Sequence, residues 1–422
     1  MTGIENKYFL ITVCVLLNSF PMLSPSFRYI NPLLEIPAHA QKKLFPDASI
    51  SVLDFLEFPL PIISRATSHQ KASTFFSTDD PNIHDITEIQ NIPIPPTGIV
   101  AGLVEACTAA FPLGNKSIKC SHLPSGSGRN LPVWIITYWA EVLELRTTSR
   151  KAWVKAEEFL RQRKKLWKKP SSGETMDHIM QKAYDVLSYL PWSGNIYGFD
   201  DREPIHTLAT YASREWFSTL HENQMLDLLR RDLLLQNYKI EIENMAFFPK
   251  LQEAYDRRDI GEYDESRKFA RIRSIAHALE TGERDGLGTM VNINGDHWVA
   301  IALDFKQSLV WYGDSFGSMP VEQVTSVINW WTFHHTGREF AYRTMRMPAQ
   351  KDGFSCGLLG TNGLGHFYMP EKYALINVAN VDTERVRMLL RVVQRHLDQS
   401  EVCMWHYVQQ QFTDIDFDRA WQ

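Results

Sequence analysis

About thirty residues near the middle of the chain constrain its fold most. The stretches "GTMVNINGDHWVAIALDF" (288–305) and "SLVWYGDSFG" (308–317) alternate with period two and are rich in β-branched and aromatic residues, the pattern of strands. Only two or three residues around Lys306 separate them, so the pair predicts an antiparallel hairpin. A two-residue loop at Phe305 and Lys306 sets Leu303 against Ser308, Ile301 against Val310, and His297 directly against Asp314. Opposed side chains on one face have Cβ atoms about 4.5–5.5 Å apart, suitable for a carboxylate that orients an imidazole. A slip of one residue would face His297 with Gly313 or Ser315 and lose the pair. Strand-end histidines and aspartates are also ordinary surface residues, so the hairpin alone does not make a site.

The rest of the chain narrows the possibilities. At 422 residues it is long enough for two or three domains, and 44% apolar with 22% charged residues is ordinary globular composition. A net charge of −5 gives no reason to expect direct nucleic-acid or membrane binding. The five cysteines (Cys14, Cys107, Cys120, Cys356, Cys403) are scattered, with no zinc-type spacing. They predict reduced thiols in the nucleus or cytoplasm, and no metal or cofactor. The apolar run from Phe9 to Leu17 is short for a bilayer span and has no clear cleavage site after it. It reads as a buried strand or an ill-defined chain start rather than a secretion signal.

Three regions are expected. Residues 1–130 are proline-containing and poorly defined. Residues 131–178 hold one or two amphipathic helices, with Trp134, Tyr138, Trp139, Val142 and Leu145, then Trp153, Ala156, Phe159 and Leu160 at helical spacing. Their basic end (Arg161 to Lys169) reads as a solvated face running into a linker. Residues 179–422 alternate strands and helices as an α+β unit. Thr219 followed by Glu222 has the form of a capping box opening a helix, and Thr383 to Gln399 predicts a further amphipathic helix.

The thiol of interest lies in "PAQKDGFSCGLLGTNGLGHF" (348–367). Leu358, Leu359, Leu364 and Phe367 fall at helical intervals, while Gly357, Gly360, Gly363 and Gly365 weaken a helix unless its backbone packs closely inside a core. A cysteine starting such a helix has its thiolate favoured by the helix dipole. A neighbouring protonated histidine would add to that, bringing its pKa from about 8.5 toward roughly 3.5–7.5. Gln350 can offer a side-chain N–H to a developing oxyanion. The commonest fate of a free cysteine is a buried structural thiol; the upstream glutamine, the Asp-Gly turn and the His/Asp pair together weigh against it. His334, His335 and His366 are set aside as bases: the first two have no matched acid in the sequence, and the last lies too far along the helix.

The order His297, Asp314, Gln350, Cys356 resembles that of the ubiquitin-like-protein proteases, the Ulp or SUMO-specific cysteine peptidases (peptidase C48-like), which share their plan with the adenovirus protease. The matching pieces are "HW" at 297–298, "DS" at 314–315, "QKDGFSCG" at 350–357, and the opening segment "SREWFSTLHENQMLDLL" at 213–229. The likeness runs from about Tyr189 to His396, and the N-terminal half is similar to the large fungal, transposon-associated branch. The resemblance implies a papain-like fold: a central mixed sheet, with the cysteine at the N-terminus of a buried helix. It also implies Cys356 as nucleophile, His297 as base, Asp314 as its orienting acid and Gln350 as oxyanion donor. Trp216 and Trp298 would cover a narrow channel for a Gly-Gly tail, and the partner would be a ubiquitin-like modifier or its conjugate. Thr219 stands where the family commonly carries an acid three positions after the tryptophan, a departure in partner recognition. An acyltransferase using the same Cys/His/Asp set, or an inactive transposon-derived binding module, are the alternative readings.

Overall fold

The computed structural model describes residues 32–64, 71–119, 128–167 and 174–413. The apolar run from Phe9 to Leu17 and the linker at 168–173 lie outside these residues. Up to residue 132, short helices (Ala38–Leu44, Val52–Glu57) and α1 (Thr97–Ala110) accompany a small antiparallel sheet. Its strands are β1 (Phe76–Ser77), β2 (Ser117–Lys119) and β3 (Asn130–Pro132).

Two amphipathic helices follow, α2 (Ile135–Leu145) and α3 (Lys151–Trp167), joined by a π-helical turn at Arg146–Arg150. The turn has a local cause. Thr147 and Thr148 donate their hydroxyls to the carbonyls of Leu143 (2.8 Å) and Glu144 (2.6 Å), which competes with the regular helical ladder. The apolar faces predicted on both helices are buried, with Tyr138, Trp139, Trp153 and Leu160 at zero exposure. Helix α4 (Glu174–Leu187) then leads to a tight helical segment at Ile205–Ala212 and to α5 (Thr219–Leu235).

A five-stranded mixed sheet carries the rest, in the order β4 (Ile240–Ile242), β5 (Gly286–Ile293), β6 (His297–Asp304), β7 (Leu309–Gly313), β8 (Ala341–Thr344). The outer pairs are parallel and the central ones antiparallel. The chain is thus α+β. Helices α6 (Phe247–Asp256), α7 (Ala270–Glu280) and α8 (Glu322–Thr336) cover one face through Leu251, Ile272, Val327 and Trp331. On the other face, α9 (Cys356–Tyr368) lies between the sheet and α5, burying Met290, Trp298 and Ala300 against Leu226 and Leu364. Helix α10 (Val381–Thr413) ends the described chain. No helix among the described residues is long and apolar enough to cross a membrane.

Two local expectations are corrected. The β6–β7 hairpin pairs Leu303 with Val310 and Ile301 with Tyr312, two positions from the predicted register. Asp304 accepts the N–H of Gln307 at 2.8 Å, and Ser308 takes φ +54°, so the loop closes over four residues instead of two. At α5 the N-cap is Ser218, whose N–H donates to His221 Nδ1 at 3.3 Å. Glu222 does not cap; it points into the core with no exposure.

Candidate active site

The glycines of α9 let a helix enter a space that would refuse side chains. A Cβ at Gly360 would overlap Met290, one at Gly363 would overlap Met347, and one at Gly357 would overlap the Glu222 carboxyl. The helix therefore sits deep, and its first residue, Cys356, is 1% exposed. Being first, its backbone N–H is one of those with no partner inside the helix. The preceding turn is shaped by Asp352. That carboxylate accepts the N–H groups of Phe354 (3.0 Å) and Ser355 (2.9 Å) and the Ser355 hydroxyl (2.8 Å), a short-range Asx pattern already present in the Asp-Gly dipeptide.

The two-position register shift keeps the parity of the strands, so His297 and Asp314 remain on one face. His297 Nε2 and Asp314 Oδ1 are 2.8 Å apart. The imidazole also hydrogen-bonds the Cys356 side chain. Asp314 is held in turn by the N–H of Phe316 at 2.7 Å. Phe316 stacks on the imidazole with ring centroids 4.9 Å apart. That contact was not foreseen, although "DSF" places the ring two residues from the acid.

The electrostatics favour a charged pair. Burial opposes the imidazolium, but the hydrogen bonds and charges of Asp314 and Cys356 outweigh it and raise His297 to about 9. Burial likewise opposes the thiolate, yet His297, the Trp298 backbone and the Trp216 indole together bring Cys356 below the usual thiol value. Asp314 is lowered despite its burial, chiefly by His297 and the Phe316 N–H. Cys107, buried without such partners, is pushed up to about 12.

The predicted tryptophans both lie at the thiol. Trp216 donates its indole N–H to Cys356 Sγ at 3.2 Å and stacks on Trp298 with centroids 5.0 Å apart and planes within 12°. Trp298 is 2% exposed and donates to the Phe217 carbonyl at 3.0 Å. Gln350 is buried beside Ser315: its Oε1 accepts the Ser315 hydroxyl at 2.7 Å and its Nε2 donates to the Asp352 carbonyl at 2.6 Å.

The other histidines lie elsewhere. His335 contacts Tyr263 and His366 the Tyr373 carbonyl. His334 has the acid partner that the sequence did not reveal, Asp264 at 2.9 Å, but its helix α8 packs on the opposite face of the sheet from α9.

No protein-family model matches the chain. A curated relative, "Putative thiol protease R355" of Acanthamoeba polyphaga mimivirus, is 24% identical over 159 residues, 36% of this chain and 47% of the relative. The match thus takes in about half of that relative's length. Among solved structures the chain is similar to SUMO protease Ulp1 with its catalytic cysteine oxidised to a sulfenic acid, at 15% identity over 54% of this chain and 98% of that one, TM-score 0.41. It is also similar to the C-terminal Ulp1 protease domain solved in complex with Smt3, the yeast ortholog of SUMO, at 17% identity over 53% and 96%, TM-score 0.39. The catalytic domain of the Chaetomium thermophilum Ulp1-like SUMO protease gives 12% identity over 54% and 90%, TM-score 0.38.

Proposed function

We propose that this chain is a cysteine peptidase that cleaves ubiquitin-like modifiers from precursors or isopeptide-linked conjugates. One observation carries the chemistry: the sulfur of Cys356 hydrogen-bonds His297, whose Nε2 meets Asp314 at 2.8 Å. The thiolate attacks the scissile carbonyl and forms the C–S bond. The imidazolium gives its proton to the departing amine as the C–N bond breaks. The neutral imidazole then takes a proton from water, the resulting hydroxide attacks the thioester, and the thiolate leaves. Negative charge on the carbonyl oxygen in both tetrahedral species is met by the Cys356 backbone N–H and by the Gln350 side-chain amide, whose Nε2 otherwise donates to the Asp352 carbonyl at 2.6 Å and to its Oδ1 at 3.5 Å.

The substrate class rests on the motif resemblance from Trp216 to Gly357, and the name of the mimivirus relative accords with the thiol chemistry. In this reading the stacked Trp216 and Trp298 confine the substrate to a side-chain-free Gly-Gly tail, with Trp298 supporting Trp216 from beneath. Placement in the fungal, transposon-associated branch rests on the N-terminal half alone.

A panel of ubiquitin-like proteins carrying C-terminal electrophiles tests the proposal. At least one should form an adduct on Cys356, and Cys356→Ala should form none. If Cys356 reacts with iodoacetamide but with no member of the panel, the modifier reading is wrong.

A further inference from the structure

Helix α10 places a guanidinium under the active-site turn. Arg385 has no solvent exposure. Its Nη2 donates to the carbonyls of Thr210 and Glu215, both at 2.8 Å. The guanidinium lies 3.9 Å from the Phe217 ring centroid and 5.6 Å from that of Phe354. It therefore grips the residue on each side of Trp216 and touches the turn that leads into Cys356. Among the described residues its Nε and Nη1 have no hydrogen-bond partner. A buried cation so incompletely paired is weak ground for stability; what it does hold is the backbone on either side of Trp216.

We propose that Arg385 is the positioning residue for Trp216, fixing the turn at 213–218 so that the indole N–H stays on the sulfur of Cys356. The inference deepens the protease reading and rests on it. The chain of contacts is short: Arg385 to the Glu215 carbonyl, one peptide to Trp216, and 3.2 Å from the indole nitrogen to Sγ. On the far side, the carbonyl of Phe217 receives the Trp298 indole, so the stacked pair is anchored through the same turn. Burial lowers Arg385 to about 10, which leaves it cationic at neutral pH. The groups whose charge reaches it are Asp382, Tyr211, Asp352 and Glu222. Those facing Cys356 are His297, with Asp314 behind it, and the buried carboxyl of Glu222.

The test needs no substrate. Iodoacetamide alkylation of Cys356 in the full chain is followed against pH by mass spectrometry of its peptide. Trp216→Phe removes the indole N–H, keeps an aromatic ring against Trp298, and should raise the half-point of alkylation by about one pH unit, the worth of one charge-assisted hydrogen bond. Arg385→Lys keeps the charge but cannot hold both carbonyls and the Phe217 ring, and should raise it by a similar amount. The double variant should shift no further than Trp216→Phe alone, because both changes break one chain of contacts. A wild-type half-point in Arg385→Lys, or shifts that add, would overturn the proposal. Arg385→Gln, which can still donate to one carbonyl, serves as a second variant. Unfolding of both would show that Arg385 holds the fold rather than the indole, and would count against it. If Cys356→Ala retained hydrolysis, the protease reading alone would fail and the alkylation comparison would stand.

Discussion

At the level of single residues, the distinguishing fact is a difference between two buried thiols. Cys107 and Cys356 are each 1% exposed, yet burial drives one up to about 12 while the other falls. Only the second has an imidazole, an indole N–H and a helix N-terminus. Cys356→Ala should therefore abolish hydrolysis and Cys107→Ala should leave it near wild type. His297→Ala should approach the loss at Cys356. For Asp314→Asn a fall of about 10⁴-fold is expected, by the precedent of serine triads, and for Gln350→Ala a fall of about 10²-fold. A larger effect at Gln350 than at His297, measured as kcat/KM, would contradict these roles. The pH profile follows from the same pair. The raised pKa of His297 means that its cationic form is favoured by folding, a contribution fully present below about 6.5 and lost as pH rises through about 9. Activity should fall on the alkaline side near that value, as the imidazolium loses its proton. On the acid side it should fall as the thiolate is protonated, below the ordinary thiol range. A rate that keeps climbing past pH 10 would exclude the charged pair as the active form.

At the level of elements, α9 explains why four glycines sit in thirteen residues. Replacing a helical glycine by alanine normally stabilises by about 1 kcal/mol, but overpacking a filled core costs about 1–3 kcal/mol. At Gly357 the second effect should win, because the new methyl overlaps the Glu222 carboxyl. That carboxyl is itself kept neutral by burial and by the nearby Cys356. Gly357→Ala should lower the thermal midpoint, and adding Glu222→Ala should recover part of the loss by making room. Additive losses in the double variant would refute the packing account. The same helix shows what the sequence disclosed and what it hid. Period-two alternation revealed β6 and β7, and glycine spacing revealed a helix buried by its backbone. Turn chemistry at Phe305–Ser308 gave no Asn-Gly signal, so the register came out two positions away. His297 still meets Asp314, because an even shift preserves the face. Glu222 looked like a capping residue because its spacing from Thr219 is local, whereas its burial against Gly357 depends on residues 135 positions apart. Arg385 is hidden for the same reason, since its partners are set by tertiary packing and no local pattern marks it, whereas Phe316 lies two residues from Asp314 in "DSF".

At the level of the whole molecule, one hydrophobic core crosses the sequence boundary between the helical region and the catalytic segment. It runs from Leu34 through Trp139, Trp153 and Leu160 to Leu208, Phe217, Leu358, Leu359 and Val393. Helix α3 packs on the segment Ile205–Ala212, which leads into the Trp216 turn, and α4 packs on α10. Ion pairs follow the same seam: Asp382 on α10 receives Arg163 from α3 at 2.5 Å and Arg214 from the turn at 2.8 Å, and Lys155 meets Glu215. Exposed pairs such as Lys155–Glu215 stabilise little, so the apolar contacts dominate. A fragment of residues 170–422 keeps α4 and all four proposed catalytic residues but loses α2 and α3. It would strip the cover of α3 from the segment Ile205–Ala212, whose Ile205 and Leu208 are each at most 2% exposed in the whole chain. Exposing a large apolar side chain costs about 1.5–3 kcal/mol, so two of them take a sizeable share of the roughly 5–15 kcal/mol by which a typical domain is stable. The fragment should bind an apolar dye such as ANS and unfold without a sharp transition, and its Cys356 should lose the low half-point of alkylation as the Trp216 turn loosens. A 170–422 fragment that melts cooperatively and alkylates like the full chain would show that the upstream helices are dispensable to the site.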